Sequence, residues 1–266
     1  MVLLKVNSKI HDLLQQVKEQ VSIVNCSCRI LKDASNFFNT LGCVLYLGNF
    51  ANHGTHRANA FGFRITSAKA AISVRTTLKD ISVLDFLVEG LSEKRPSLLE
   101  FFESSNQIEL AKRISLMEIE KMVEALNSMK TELESLQPSE KCKFGENLSK
   151  TLFKLDEDIG MVRSEVEGML DELKQLFAHY GEEYERGGHE AFLGAILEFY
   201  EDVREARKSL RERQLEAEMR AKRATAKPRQ RSLVSKEHKH GFVDNIMDRL
   251  RGEIAAAAGR PPSALK

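Results

Sequence analysis

Two apolar series in the middle of the chain restrict the fold more than any other feature. Ile119, Met122, Leu126, Met129, Leu133 and Leu136 advance in alternating steps of three and four. Leu148, Leu152, Leu155, Ile159, Val162, Val166, Met169, Leu173, Leu176 and Tyr180 keep the same alternation. That period aims one stripe of a helix at a neighbour, as in a coiled coil or a long antiparallel helix pair. Pro138 interrupts the first series, and a short connection joins antiparallel helices. The segment therefore reads as a helical hairpin with a loop around Gln137 to Gly145.

Helical spacing also governs the flanks. From Met1 to about Phe38 one face carries Ile10, Leu13, Leu14, Val17, Val21 and Val24. Phe37, Phe38, Leu41, Val44, Leu45 and Leu47 are denser and imply a helix buried on most sides. Gly48 to Gly54 is rich in turn formers and reads as a loop. Val83, Leu84, Phe86, Leu87 and Leu91 mark a further helix before Pro96. Gly181 and Gly187-Gly188 end the hairpin, and Phe192, Ile196, Phe199, Tyr200 and Val203 open another helix that loses its apolar face from Arg204 to Arg223. No run of alternating apolar residues is convincing. The expected class is all-α: an elongated helical domain with a long antiparallel coiled-coil hairpin and a disordered basic C-terminal tail.

The totals set limits on function. Charged residues make up 30% of the chain, yet the formal net charge is only +1, which excludes a globally basic nucleic-acid binder. No stretch approaches the roughly 18 consecutive apolar residues of a membrane span. The start, with Val2, Leu3 and Leu4, has no signal-peptide core or cleavage site, so a cytoplasmic location is expected. Cys26 and Cys28 form a Cys-x-Cys pair, and His53 and His56 would have to complete a zinc site. Structural zinc sites use wider Cys spacing and a second matched pair, so no metal or other cofactor is expected. Glycine-rich phosphate loops, His-Glu-x-x-His and Gly-x-Ser-x-Gly are absent from the sequence. Glu182 and Glu183 read as solvated helix-end charges. No catalytic residue is assigned, and an enzyme is not expected.

One segment carries a more specific pattern. Leu47-Gly48-Asn49-Phe50-Ala51-Asn52, followed by Ala58-Asn59-Ala60-Phe61-Gly62-Phe63, resembles the signature of the formin homology 2 domain. In that family Gly-Asn-aromatic-Met-Asn precedes a small insert and Ala-x-Gly-Phe. Ala51 stands where the family has Met, a smaller side chain on the same turn. Gly48, Asn49, Phe50, Asn52, Ala60, Phe61, Gly62 and Phe63 are the matching positions of this signature loop. Val83 to Leu91 with Pro96-Ser97-Leu98-Leu99 resembles the helix and proline turn found next in the family. Tyr180-Gly181-Glu182-Glu183 with Phe192, Ile196 and Phe199 resembles the start of its post subdomain. The resemblance spans 1–223, divided as a knob part (1–115), a coiled coil (116–180) and a post (181–223).

The resemblance implies an actin-binding protein. Formin homology 2 domains form head-to-tail rings around actin barbed ends, nucleate filaments and stay attached as subunits add. The lasso of one chain wraps the post of the other, so a second formin chain is an implied partner. A basic residue shortly after the Gly-Phe motif contacts actin in the family; the corresponding position here is Arg75, with Lys79 close by. Actin's surface is acidic, and a rim cation aids encounter and register.

The tail, 224–266, is basic between about Arg220 and Lys239 and contains a short amphipathic segment, 241–254. Val243, Met247, Leu250 and Ile254 share a helical face, and Met247-Asp248 with Leu250 resembles the core of the diaphanous autoregulatory segment. That resemblance implies an N-terminal autoinhibitory domain as a partner, bound helix-in-groove. Arg251 departs from the Leu usual there. Microtubule or anionic-membrane contact by the basic tail is a further option. The lasso, linker and first knob helices of the family would precede Met1, so the chain reads as a truncated formin. The alternative is a short non-nucleating coiled-coil scaffold or a dominant-negative partner of an intact formin.

Overall fold

The computed structural model describes residues 2–56, 58–75, 81–101, 105–135 and 143–226. Among the described residues the fold is all-α. Its helices are α1 (Val2–Asp33), α2 (Ser35–Ala51), α3 (Ala68–Ile72), α4 (Val83–Lys94), α5 (Asn106–Arg113), α6 (Leu116–Ser135), α7 (Lys143–His179) and α8 (His189–Ala226). Two 3-10 turns, Ile65–Ser67 and Pro96–Leu99, and an isolated antiparallel bridge between Arg75 and Ser82 complete the description. The chain divides into two compact units, each assembled from two separate segments. One unit joins Met1–Asp33 to Ser104–Gly194; the other joins Ala34–Glu103 to Ala195–Lys266. Residues 116–180 lie wholly within the first unit, while 1–115 and 181–223 are each divided between the two.

The first unit is built on the seam of α7. Leu155, Ile159, Val162, Val166, Met169, Leu173 and Leu176 are all buried. On α6, Ile119, Leu126 and Leu133 are buried and Met122 and Met129 half-buried. The two helices run antiparallel: Lys130 pairs with Asp156, and Asn127 meets Arg163 one turn further back on α6. Leu136 and residues 137–142 of the expected loop lie outside the described residues, while Lys143–Gly145 already belong to α7. The hairpin is not a free two-helix rod. Helix α1 lies against α7, α6 and α5, with Val17, Val24 and Leu31 essentially inaccessible to solvent.

Polar contacts fix the ends of this packing. Lys32 of α1 reaches Glu172 at 2.6 Å and Gln175 at 3.1 Å on α7. The Tyr180 hydroxyl donates to the Leu31 carbonyl at 2.9 Å. Helix α7 stops in a Schellman motif. Glu182 N–H donates to the Phe177 carbonyl and Gly181 N–H to that of Ala178, and Gly181 has φ +69°, which glycine adopts without a Cβ penalty. Beyond it, Phe177 stacks on Phe192 at 4.4 Å. Buried His189 sets its Nε2 2.8 Å from the Ile114 carbonyl.

Sequence periodicity runs α1 on to about Phe38, but the helix breaks at Ala34 (φ −75°, ψ 62°). The break sends Leu31 into the core of the first unit and Phe37 into that of the second, a division that one straight helix face does not provide. In the second unit Phe37 packs edge-on to Phe101 at 5.3 Å and to Phe199 of α8 at 5.7 Å. Buried Thr40 donates to the Leu98 carbonyl at 2.7 Å, which ties α2 to the Pro96–Leu99 turn. Arg207 donates to the Leu99 carbonyl at 3.1 Å from α8. Helix α4 opens with a capping box: Asp85 N–H donates to Ser82 Oγ at 3.0 Å, and Ser82 N–H to Asp85 Oδ2 at 3.2 Å. On α8, Ala206 and Leu210 remain buried past the point where the sequence loses its apolar face. From Arg211 to Arg223 the helix is exposed throughout.

Two stability outcomes follow from this packing. Phe37→Ala removes the ring shared by Phe101 and Phe199 and is expected to lower unfolding free energy by about 3–5 kcal/mol, read by chemical denaturation. Alkaline pH provides the other. Burial pushes the Cys28 thiol from 9.0 up to about 12, with Lys32 working the other way, and burial also raises the Tyr180 phenol. Folding holds both groups neutral, so their contribution is fully present below pH 9 and is lost as pH rises toward 12. The slope per group is about 1.4 kcal/mol per pH unit. Cys28→Ala is expected to flatten the alkaline limb of a stability-versus-pH curve.

Candidate functional site

The most specific sequence segment lies entirely within the second unit. Gly48, Asn49 and Phe50 are not in a loop, as their turn-forming composition suggests; they form the last turn of α2. Buried Leu47 carries the helix face onward, and Asn52 ends it instead of Gly48. The Asn52 backbone N–H and its Nδ2 both donate to the Gly48 carbonyl, at 3.1 and 2.8 Å. The chain then turns through Gly54 (φ +80°).

Asn49 fastens the two halves of the segment together. Its Nδ2 donates to the Ala60 carbonyl at 2.9 Å, and its Oδ1 accepts from the Ala60 N–H at 2.8 Å. This two-bond clasp explains why an amide is needed at position 49: a carboxylate lacks the donor and a hydroxyl lacks the reach. Asn59 sits beside it at φ +63°, a conformation that Asn tolerates better than most residues. The clasp presents aromatic surface. Phe61 is 94% exposed and Phe50 46%; Phe63 is half-buried and Gly62 exposed. Sequence reasoning grouped these residues but gave no sign that Phe61 stands in solvent.

Arg75 is exposed on the bridge to Ser82, where the Val83 N–H also donates to the Val74 carbonyl at 2.9 Å. It borders a groove of about 440 Å³. One wall is Lys69 and Ile72 of α3 with Ser73 and Arg75 beyond it; the other includes Asp202, Glu205 and Ser209 of α8; Ser82, Leu84 and Asp85 complete it. Lys69 pairs with Glu198 at 3.1 Å and Arg213 with Asp85 at 3.1 Å. The α8 carboxylates were not singled out from the sequence. Their i, i+3 and i+4 spacing from Glu198 to Ser209 was the available signal, hidden within a helix charged on nearly every side.

Other sequence expectations fall elsewhere. Lys79 lies outside the described residues, as do Val243, Met247, Asp248, Leu250 and Ile254 with the rest of the tail from 227. Cys28 is buried on α1, and His53 and His56 are exposed in the turn after α2. Among the described residues no three His, Cys, Asp or Glu side chains stand together as metal ligands. No helix among them is long and apolar enough to cross a membrane.

The all-helical fold of the described residues, with an Asn-clasped aromatic turn after α2 and a long α6–α7 hairpin, fits the class suggested by the signature. A family model of the Formin Homology 2 Domain matches residues 1–204, and the chain belongs to that family. Human Protein diaphanous homolog 3 is 23% identical over 264 residues, covering 92% of this chain and 22% of the relative. Human Disheveled-associated activator of morphogenesis 1 is 28% identical over 208 residues, covering 75% of the chain and 19% of the relative. Formin-A of Dictyostelium discoideum is 28% identical over 211 residues, covering 74% and 17%. The chain thus spans about a fifth of the length of these curated relatives.

The clasp is directly testable. Asn49→Ala removes both bonds to Ala60 at the cost of about 1 kcal/mol each, and hydrogen exchange at the Ala60 amide is expected to speed up while α7 amides stay protected.

Proposed function

We propose that this chain is an actin-binding part of a formin, and that the full domain to which it belongs nucleates filaments and caps barbed ends as a head-to-tail dimer. The observation that carries the reading is the signature segment, Gly48 to Phe63, inside a family match covering most of the chain. Arg75 supports it: a guanidinium on an exposed rim is suited to an acidic protein surface, where it speeds encounter and sets register. In this reading 1–115 serves as knob, 116–180 as coiled coil and 181–223 as post. The protein works in the cytoplasm on the actin cytoskeleton without catalysing a covalent reaction. The tail segment 241–254 binds an N-terminal autoinhibitory domain, and Lys79 adds to the Arg75 contact.

A second reading is favoured by one observation. Phe61 and Phe50 offer exposed aromatic surface, which suits an apolar segment of another formin chain. A chain that accepts that segment without nucleating would act as a dominant-negative partner of an intact formin, or as a coiled-coil scaffold.

Pyrenyl-actin assembly with co-sedimentation separates these readings. Faster assembly or slowed barbed-end growth is expected, with Arg75→Ala weakening the effect by about tenfold, the size of a well-placed charged contact. Unchanged assembly and no pelleting would remove the actin reading and leave the scaffold.

A further inference from the structure

The groove beside Arg75 carries an unbalanced charge arrangement. Its cation Lys69 is engaged by Glu198, and its carboxylate Asp85 by Arg213 and the α4 cap. Asp202 and Glu205, one turn apart on α8, make no ion pair within 4.0 Å or side-chain hydrogen bond among the described residues, although Lys69 acts on Asp202 at longer range. Asp202 is half-buried, and burial raises its carboxyl above the ordinary value; Lys69 opposes this, while Glu198 and Glu205 add to it. A carboxylate partly withdrawn from water and set beside like charges is costly until a cation reaches it. Ile72 of α3, Leu84 of α4 and Ala206 of α8 supply the groove's apolar lining. That apolar lining matches the methylene stem of a long basic side chain, whose charged tip would meet the carboxylates.

We infer that the groove receives a lysine side chain of actin, with Asp202 and Glu205 as its acceptors, while Arg75 at the rim takes a neighbouring acidic group of the same surface. The inference rests on the actin reading above and adds a second, oppositely charged half to it. Arg75 alone attracts any acidic surface. The pairing of an acid-seeking rim with a base-seeking groove selects a surface that alternates in sign at matching spacing, which is how charge arrangement gives specificity.

The test is filament co-sedimentation of the full chain at fixed ionic strength. Wild type is compared with Arg75→Ala, the near-isosteric double variant Asp202→Asn/Glu205→Gln, and a control, Glu201→Gln/Glu212→Gln, that removes the same charge from α8 away from the groove. The groove variant is expected to bind about tenfold more weakly, the size of losing a partly buried charge contact, although it is more positive toward an acidic partner. The control is expected to bind as wild type or more tightly. Equal or tighter binding by the groove variant, with Arg75→Ala still weakened, overturns this inference and leaves the actin reading intact. Loss of binding is expected only through the groove contact, so a lowered melting temperature in the groove variant shifts the decision to a second measurement. That measurement is zero-length carbodiimide cross-linking of wild-type chain to filaments, which joins carboxylates to lysines. A peptide linking Asp202 or Glu205 to an actin lysine is expected; links from other carboxylates alone overturn the proposal. Pelleting left unchanged by Arg75→Ala overturns this paired-charge inference alone, whereas no pelleting by wild type removes the actin reading and this inference with it.

Discussion

Burial of the α7 seam is the constraint on which the first unit depends. A helix of 37 residues presenting an apolar residue at every third or fourth step cannot leave that stripe in water. Full burial of each Leu, Ile or Val is worth about 1.5–3 kcal/mol relative to exposure. Helix α6 covers part of the stripe, and α1 covers more of it. The Lys32–Glu172 pair and the bond from Tyr180 to the Leu31 carbonyl then hold the end of α1 to the end of α7. Charged pairs along the outer faces add little by comparison, since exposed pairs contribute about 0–1 kcal/mol.

The second unit solves a different problem, namely how to support a short, turn-rich segment. Its core is aromatic: Phe37, Phe101 and Phe199 meet edge-on or tilted, at ring separations between 5.3 and 6.2 Å. On this base α2 stays helical through its last turn, so the amide of Asn49 is placed where it can close on Ala60. The clasp on Ala60 fixes the backbone from which the exposed Phe61 projects. A mobile loop could not offer its ring at low entropic cost on binding.

Much of this was legible in the sequence, for identifiable reasons. The seam residues of α6 and α7 follow a period that only one helix face satisfies, and Gly181 marks a helix end that requires positive φ. The signature segment was recognisable because its two halves recur together. What was not legible depended on contacts distant in sequence. Local turn propensity at Gly48 and Asn49 is overridden by the burial of Leu47 and by the cap from Asn52. The break at Ala34 has no glycine or proline to announce it; it follows from Leu31 and Phe37 belonging to different cores. Asp202 and Glu205 look like ordinary solvated charges until α3 and α4 are folded opposite them.

The discontinuous make-up of both units has a consequence for biogenesis. Tyr180 meets Leu31 across 149 residues and Arg213 meets Asp85 across 128. During vectorial synthesis, α1 and α2 emerge early with their apolar faces uncovered. They wait for α7 and α8, which follow them along the chain. Long-range closure of this kind slows folding and prolongs the exposure of sticky surface. A chain halted before Phe199 would keep the contacts of α2 with Leu98 and Phe101 but would lack the Phe199 ring that completes the packing of Phe37.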